Sequence, residues 1–458
     1  MKKNLKLALW LSVAAALAAV ILLNLFVGTI GEKIPTKLDL TSNKIFELSE
    51  ETKNVLENVD KDVYIYYFVT KGNEKLYITQ TVDMYKGYSD KIHFEQKDPT
   101  KDPVFARSLG TDVTDNSVIV KSGERAKVID SSTVYDSAKQ QGVIEFQLEQ
   151  KLTRAIAYVQ AESDVKVYFT TGHEEIDYHS IKIALEDENA DVYEIDLTTA
   201  EIPDDAAAVY IMAPQMDFSE DEISKIQSYL SNGGGLNVSL GVKSDDLPEL
   251  RRFLSDDWGI NFNNDIVMET DSMAVWGGDP FYVLPSVVQH SITEGIIDKK
   301  TEIAWPEARS LHITEVPDVK ASVLLTTTEN ALSKAAAESV SYTAEDEDIQ
   351  GKHILAVVCE KDSKTSAAHI IATGTCFYAD KLCLNDMSLA NSDFVRECFV
   401  YLRGNDSKGI SIIPKNVSNT YMSLKQGEIY AYMWIFGIVP EILVLAAGLV
   451  VWLRRRRL

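Results

Sequence analysis

At 458 residues, with 45% hydrophobic and 25% charged side chains, the chain has an ordinary globular composition and is long enough for two or three cores. Its formal net charge of −24 argues against nucleic acid as a partner, because phosphate binding needs concentrated positive charge. The four cysteines, Cys359, Cys376, Cys383 and Cys398, lie 17, 7 and 15 residues apart with no CxxC pair, which excludes a zinc-ribbon spacing. Disulfides in an oxidising exterior and buried free thiols are both compatible with them.

The first predicted element is a transmembrane helix over 7–31, where no side chain is charged. At about 1.5 Å per residue it can cross a hydrocarbon core of ~30 Å, and its apolar stretch outruns the ~7–15 residues of a cleavable signal. A helix over 50–58 follows, with Ser49 placed to cap it. Then come a buried strand over 62–70, a helix over 78–88, a strand over 92–96, a short helix over 105–109 and a hairpin of strands 117–121 and 126–130. This β-α-β-α-β-β order suits a thioredoxin-like α/β domain over 32–143 that lacks redox cysteines.

A helix over 144–160 leads to strand 165–170, helix 180–188, strands 191–196 and 208–212, helix 219–231, strand 236–240 and helix 247–258. That alternation predicts a parallel sheet with helices on both faces, so the fold class is α/β. Ser219 and Glu222 have capping-box spacing, and the glycines after Asn232 can end that helix. Beyond Asp271 the pattern weakens, with an acidic loop at 344–348. Strands 353–359 and 368–373 and a helix over 393–402 then close a domain over 144–406. Residues 407–428 read as a linker to the membrane.

The second predicted transmembrane helix spans 429–453, interrupted by Glu441 and followed by a basic tail, 454–458, that contains Arg454, Arg455, Arg456 and Arg457. Lys2, Lys3 and Lys6 flank the first span. Basic flanks resist translocation, so both termini are expected in the cytoplasm and the central region outside. Between the spans, 38 basic side chains face 68 acidic ones, a net −30 that suits a solvated extracytoplasmic surface.

Three places could carry chemistry. His173, Glu174 and Glu175 follow a strand within Gly172–Glu175, where sites form in open α/β sheets. They are the candidate ligand-binding residues, read either as an acid-base pair or as a polar loop. A metal site there would have to recruit Asp177 and His179. No nucleophile motif of the GxSxG or GxCxG kind occurs, so no catalytic residue is assigned. Asn232–Gly235 and the stretch around Gly374 lack the spacing of a phosphate loop or a dinucleotide loop, so no cofactor is expected and ATP-driven work falls to a partner. Pro440 and Glu441 are the candidate partner contact in the membrane, since an ionised carboxylate at mid-bilayer costs at least ~2.5 kcal/mol.

Ordered segments across the chain resemble the auxiliary component of ABC-type transport systems, the family that includes gliding-motility auxiliary protein G. They are Leu38-Asp39-Leu40-Thr41 with Phe46-Glu47-Leu48-Ser49, Val167 to His173, Ile202-Pro203-Asp204-Asp205, Ala213 to Glu222, Tyr229 to Gly234, and Ile412-Ile413-Pro414-Lys415. At its second-domain loop the family pattern looks like GHGE, whereas this chain has Gly172-His173-Glu174-Glu175. The resemblance implies a class I glutamine amidotransferase-like domain without its catalytic cysteine, and hence no enzymatic activity. It also implies an ABC permease subunit and its cognate ATPase as partners, alongside membrane lipid. A stand-alone envelope-binding protein and an extracytoplasmic hydrolase using the Gly172 loop are the rival readings.

Overall fold

The computed structural model describes residues 47–456 apart from 102–103, 106–114, 131–133, 139–142, 162–163, 177, 245–246, 337–340, 364–365, 385, 387, 405–411, 413–414, 417–429, 431, 433 and 435–437. Two compact units are formed, one from Met1–Leu48 with Lys415–Leu458 and the other from Ser49–Pro414.

The Ser49–Pro414 unit opens with helix α1 (Glu50–Glu57), which Ser49 caps by accepting a hydrogen bond from the Thr52 amide. Strand β1 (Val63–Phe68), helix α2 (Leu76–Tyr88) and strand β2 (Ile92–Lys97) follow, and then a hairpin of β3 (Val118–Ser122) and β4 (Arg125–Ile129). Gly123 takes φ +57° in the two-residue turn between them, as a tight hairpin requires. The sheet order is β2-β1-β3-β4, with β1 parallel to β2 and antiparallel to β3. Val63, Ile65 and Tyr67 are fully buried, as the period of two demands.

Helix α3 (Leu148–Gln160) begins four residues later than its periodicity suggests, because Val143–Phe146 forms a strand instead. Its Glu149 accepts from the Ser49 amide at 2.7 Å and the Thr52 hydroxyl at 2.8 Å, and Tyr85 donates to the Glu149 carbonyl. These buried bonds fasten α1, α2 and α3 together.

The large sheet is built from β5 (Val165–Thr170), β6 (Ala190–Ile195), β7 (Ala206–Met212), β8 (Gly235–Ser239), β9 (Ile260–Phe262), β10 (Leu311–Ile313), β11 (Val319–Thr326), β12 (Ile354–Lys361) and β13 (Ala368–Thr373). Its order is β9-β10-β12-β13-β8-β7-β5-β6, with β11 also paired to β12. From β13 to β6 every pairing is parallel. The sheet then continues in antiparallel strands, so it is mixed rather than wholly parallel. Helices α4 (His179–Asp187), α5 (Glu220–Ser231), α6 (Pro248–Trp258) and α7 (Asn391–Leu402) accompany it. Separate apolar cores lie on the two sides, one around Phe169, Trp305 and Phe394 and the other around Ile211, Leu236 and Leu254.

In the other unit, the predicted span 7–31 lies outside the described residues. Of the span 429–453, the main described part is helix α8 (Val439–Arg456), which holds Glu441 and the arginines up to Arg456. Among the described residues no helix is long and apolar enough to cross a membrane. Ile442, Leu445, Leu449, Val450 and Trp452 on α8 are all more than half exposed.

Candidate functional site

The parallel part of the sheet runs β6-β5-β7-β8-β13, so the chain leaves β5 toward one edge and returns beside it as β7. Between those strands the order reverses, and the crevice outside their carboxyl ends is where ligands collect in open α/β sheets. The loop after β5 enters that crevice through two positive-φ residues, Gly172 at +105° and Glu174 at +53°. Glycine suits the first. Glu174 carries the second with a side chain, and its carbonyl accepts from the Gln215 side chain at 3.2 Å.

Those two backbone reversals turn His173 inward and Glu174 outward. The His173 carbonyl accepts from the amides of Gln215 and Met216 at 2.9 and 3.0 Å, tying the loop after β5 to the loop after β7. Its ring stacks on Phe218 with centroids 3.8 Å apart and planes 12° from parallel. Nδ1 lies 3.4 Å from Glu175 Oε1, and Nε2 lies 3.1 Å from Glu222 Oε1. All three charged side chains are 5% exposed or less.

Glu222 is held from the other side by the start of α5. Its Oε2 accepts from the Ser219 amide and the Ser219 hydroxyl, both at 2.8 Å, while Ser219 caps the Glu222 amide. One carboxylate oxygen therefore completes a capping box and the other faces the imidazole. Glu175 likewise accepts from the His173 amide at 2.9 Å. Burial alone would lower the His173 pKa, but hydrogen bonding to Glu175 and the charges of Glu222 and Glu175 outweigh it, so the pKa is raised. Burial opposes ionisation of Glu175, yet His173 and the backbone amides hold its pKa below the usual value. Both shifts favour the proton on the imidazole and the charge on the Glu175 carboxylate, inside the protein.

Of the predicted ligand-binding residues, His173 and Glu175 are thus brought together and Glu174 is exposed. His179 stands exposed at the start of α4, and Asp177 lies outside the described residues. Among the described residues no group of three His, Cys, Asp or Glu side chains is placed to hold a metal ion. All four cysteines are free and buried, and burial pushes the thiols of Cys359, Cys376 and Cys383 up to about 12, far from a reactive thiolate. Pro440 and Glu441 both lie in the backbone of α8. Sequence reasoning missed Phe218 and the second role of Glu222. The strand order that sets the loops after β5 and β7 side by side is the signal that would have found them.

Two family models match the chain. Residues 42–141 match a domain of unknown function, DUF7088, and residues 164–375 match the family described as an ABC-type uncharacterized transport system. No curated protein matches the chain. Among solved structures, the mmIFT52 N-terminal domain is similar with 16% identity and a TM-score of 0.40, over 53% of this chain and 99% of that one. A protein described as ThuA-like from Parabacteroides merdae has 12% identity and a TM-score of 0.33, over 54% and 93%. The NTD_N/C domain of alkylhydroperoxide reductase AhpF from Enterococcus faecalis has 14% identity and a TM-score of 0.21, over 32% and 78%. None of these structural likenesses is close enough to carry a functional argument.

Proposed function

We propose, from the match of residues 164–375 to the family described as an ABC-type uncharacterized transport system, that this chain is a non-enzymatic auxiliary subunit of an ABC transporter complex. In this reading the spans 7–31 and 429–453 anchor it with both termini cytoplasmic. A thioredoxin-like domain over 32–143 and an amidotransferase-like domain over 144–406 stand outside the membrane, joined to the second span by 407–428. The parallel strand order β6-β5-β7-β8-β13 is compatible with the amidotransferase-like assignment.

The observation that carries the non-enzymatic reading is the filled crevice at the strand reversal. His173 stacks on Phe218 there, with the Glu175 and Glu222 carboxylates 3.4 and 3.1 Å from its ring nitrogens, and the three charged side chains are buried. With its pKa raised between Glu175 and Glu222, His173 holds its proton more firmly than a free imidazole does. The role of the loop is then to lock β5 to the start of α5, leaving Glu174 as the side chain through which it could meet a ligand or partner.

The exposed apolar side chains of α8 support burial against lipid or a neighbouring helix. Glu441 in that helix is the candidate contact with a permease whose ATPase supplies the energy. Purification of the tagged chain from membranes in mild detergent tests the assignment. A multi-span permease and its ATPase should come with it, and Glu441→Leu should reduce their recovery more than Glu441→Gln. Recovery of the chain alone, or hydrolytic turnover abolished by His173→Ala, overturns the reading.

A further inference from the structure

A second concavity lies at the opposite, amino end of the parallel strands and has no part in the transporter reading. It is a cleft of about 480 Å³ between the carboxyl-terminal turns of α5 and α6, bordered also by Lys361 at the end of β12, by Asp362 and Ser363 after it and by Ala368 at the start of β13. That volume lies within the ~300–1,000 Å³ of small-ligand sites. Leu230, Phe253 and Trp258 give it an apolar wall. Gln227 from α5 donates to the Asp257 carboxylate from α6 at 2.7 Å, bridging the two helices.

The electrostatics of this cleft favour a cation. Two helices end at it, and neither has a basic residue in its last turn to offset the negative end of its dipole. Asp257 and the exposed Asp362 add carboxylates. The chain has already placed one cation there: the Lys361 ammonium lies 5.8 Å from the centre of the Trp258 ring and 3.4 Å from the Asp257 carbonyl. An aromatic ring and a helix-end carbonyl are the partners that an alkylammonium or guanidinium on an apolar stem would use.

We propose that the α5–α6 cleft binds a cationic organic group carried on an apolar stem, arginine-like or lysine-like, and that Lys361 is the resident cation it competes with. The bound group sets its charge toward Asp257 and Asp362 and lays its stem against Leu230, Phe253 and Trp258. Such a group could belong to a free metabolite or to the side chain of a partner protein. The shared chemistry is the cation.

The test is titration of the intact protein in detergent with N-acetyl-arginine methylamide, followed by fluorine NMR of 5-fluorotryptophan. The Trp258 signal is assigned from the Trp258→Phe variant. The signal should shift saturably with the arginine probe and stay still with the neutral citrulline analogue. Asp362→Asn, an exposed change that leaves the fold intact, should weaken binding about threefold. Lys361→Ala should tighten it about fivefold, as expected if a cation–π contact worth about 1 kcal/mol passes from the resident group to the ligand. A tri-arginine peptide that binds more tightly than the single probe identifies a partner side chain as the source, and equal affinity identifies a free cation. Equal binding of the citrulline analogue, no shift at Trp258, or weaker binding in Lys361→Ala overturns the proposal.

Discussion

The two ends of the parallel sheet treat the same kind of space in opposite ways. At the carboxyl end, beyond the paired strands β5 and β7, His173 packs on Phe218 between the buried carboxylates of Glu175 and Glu222. Farther along that end the fully buried Arg309 donates to the carbonyls of Ser244 and Val242, filling the gap between the loops after β8 and β13. At the amino end the turns of α5 and α6 stay apart and leave an open cleft. Strand order creates a crevice, but the side chains placed there decide whether it receives a ligand or becomes a fastening.

The comparison breaks first if the carboxyl end is not tightly built. Gly374, in the loop after β13, accepts a hydrogen bond from the Arg309 amide at its carbonyl, and a Cβ added to it would sit 2.0 Å from the Arg309 carbonyl oxygen. Gly374→Ala must therefore move backbone, and a loss of about 4 kcal/mol is expected in chemical denaturation of the intact protein. A neutral result would mean that this end is loosely packed.

His173→Ala comes next. It removes the cation from between two buried carboxylates and should cost about 3 kcal/mol, the range seen when one member of a buried ion pair is lost. The pH dependence has a definite sign. The raised His173 pKa gives stability that is complete below the ordinary histidine value of about 6.5 and is lost as pH rises through the folded value. The lowered Glu175 pKa gives stability present above the ordinary glutamate value of about 4.3 and lost as pH falls through the folded value. The fastening is therefore strongest between these limits, and His173→Ala should remove the alkaline-side fall in melting temperature measured above pH 6.5. A wild type with a flat profile from pH 6 to 8 would refute the charged pin.

Much of the fold was legible in the sequence because local signals agreed with their tertiary setting. Ser49 and Ser219 cap helices as their spacing foretold, and the alternation from Val165 to Trp258 is a set of parallel strands and helices. The pattern failed where partners are distant in the chain. Strand β11 was not foreseen, because Val319–Thr326 mixes polar and apolar residues and is fixed by pairing with Ile354–Lys361. Most of the strand Val143–Phe146 falls in the helix expected over 144–160, because short apolar runs read alike in either form. At the candidate site the Gly172 loop was legible from its place after a strand. The Glu222 contact was not, since its capping role already accounted for that residue and the second oxygen's partner lies 49 positions away. The cleft at the amino end gave no sequence signal, because its wall residues are also the apolar faces of ordinary amphipathic helices.

Ser219→Ala sharpens the comparison at lower cost. Losing the cap should destabilise by about 1 kcal/mol. Ser219 also holds Glu222 in place, so its effect should be smaller in a His173→Ala background than in wild type. Strict additivity in that double-mutant cycle would separate the cap from the pin.

The smallest effect is expected at the amino end. Gln227→Ala cuts the side-chain bridge from α5 to Asp257, but both groups border open space and water can replace the lost bond. The net worth of such a partly solvated hydrogen bond is about 0.5 kcal/mol, so the unfolding midpoint should hardly move. What should change is local: with the bridge gone, the last turns of α5 and α6 lose a mutual restraint, and amide exchange there should quicken while exchange in β7 and β8 stays slow. Buried strands report global unfolding, whereas helix ends report local opening, so the two readouts separate a wider cleft from a weaker protein. If Gln227→Ala instead costs as much as Ser219→Ala, the bridge is part of the core, and the contrast between a filled end and an open one fails.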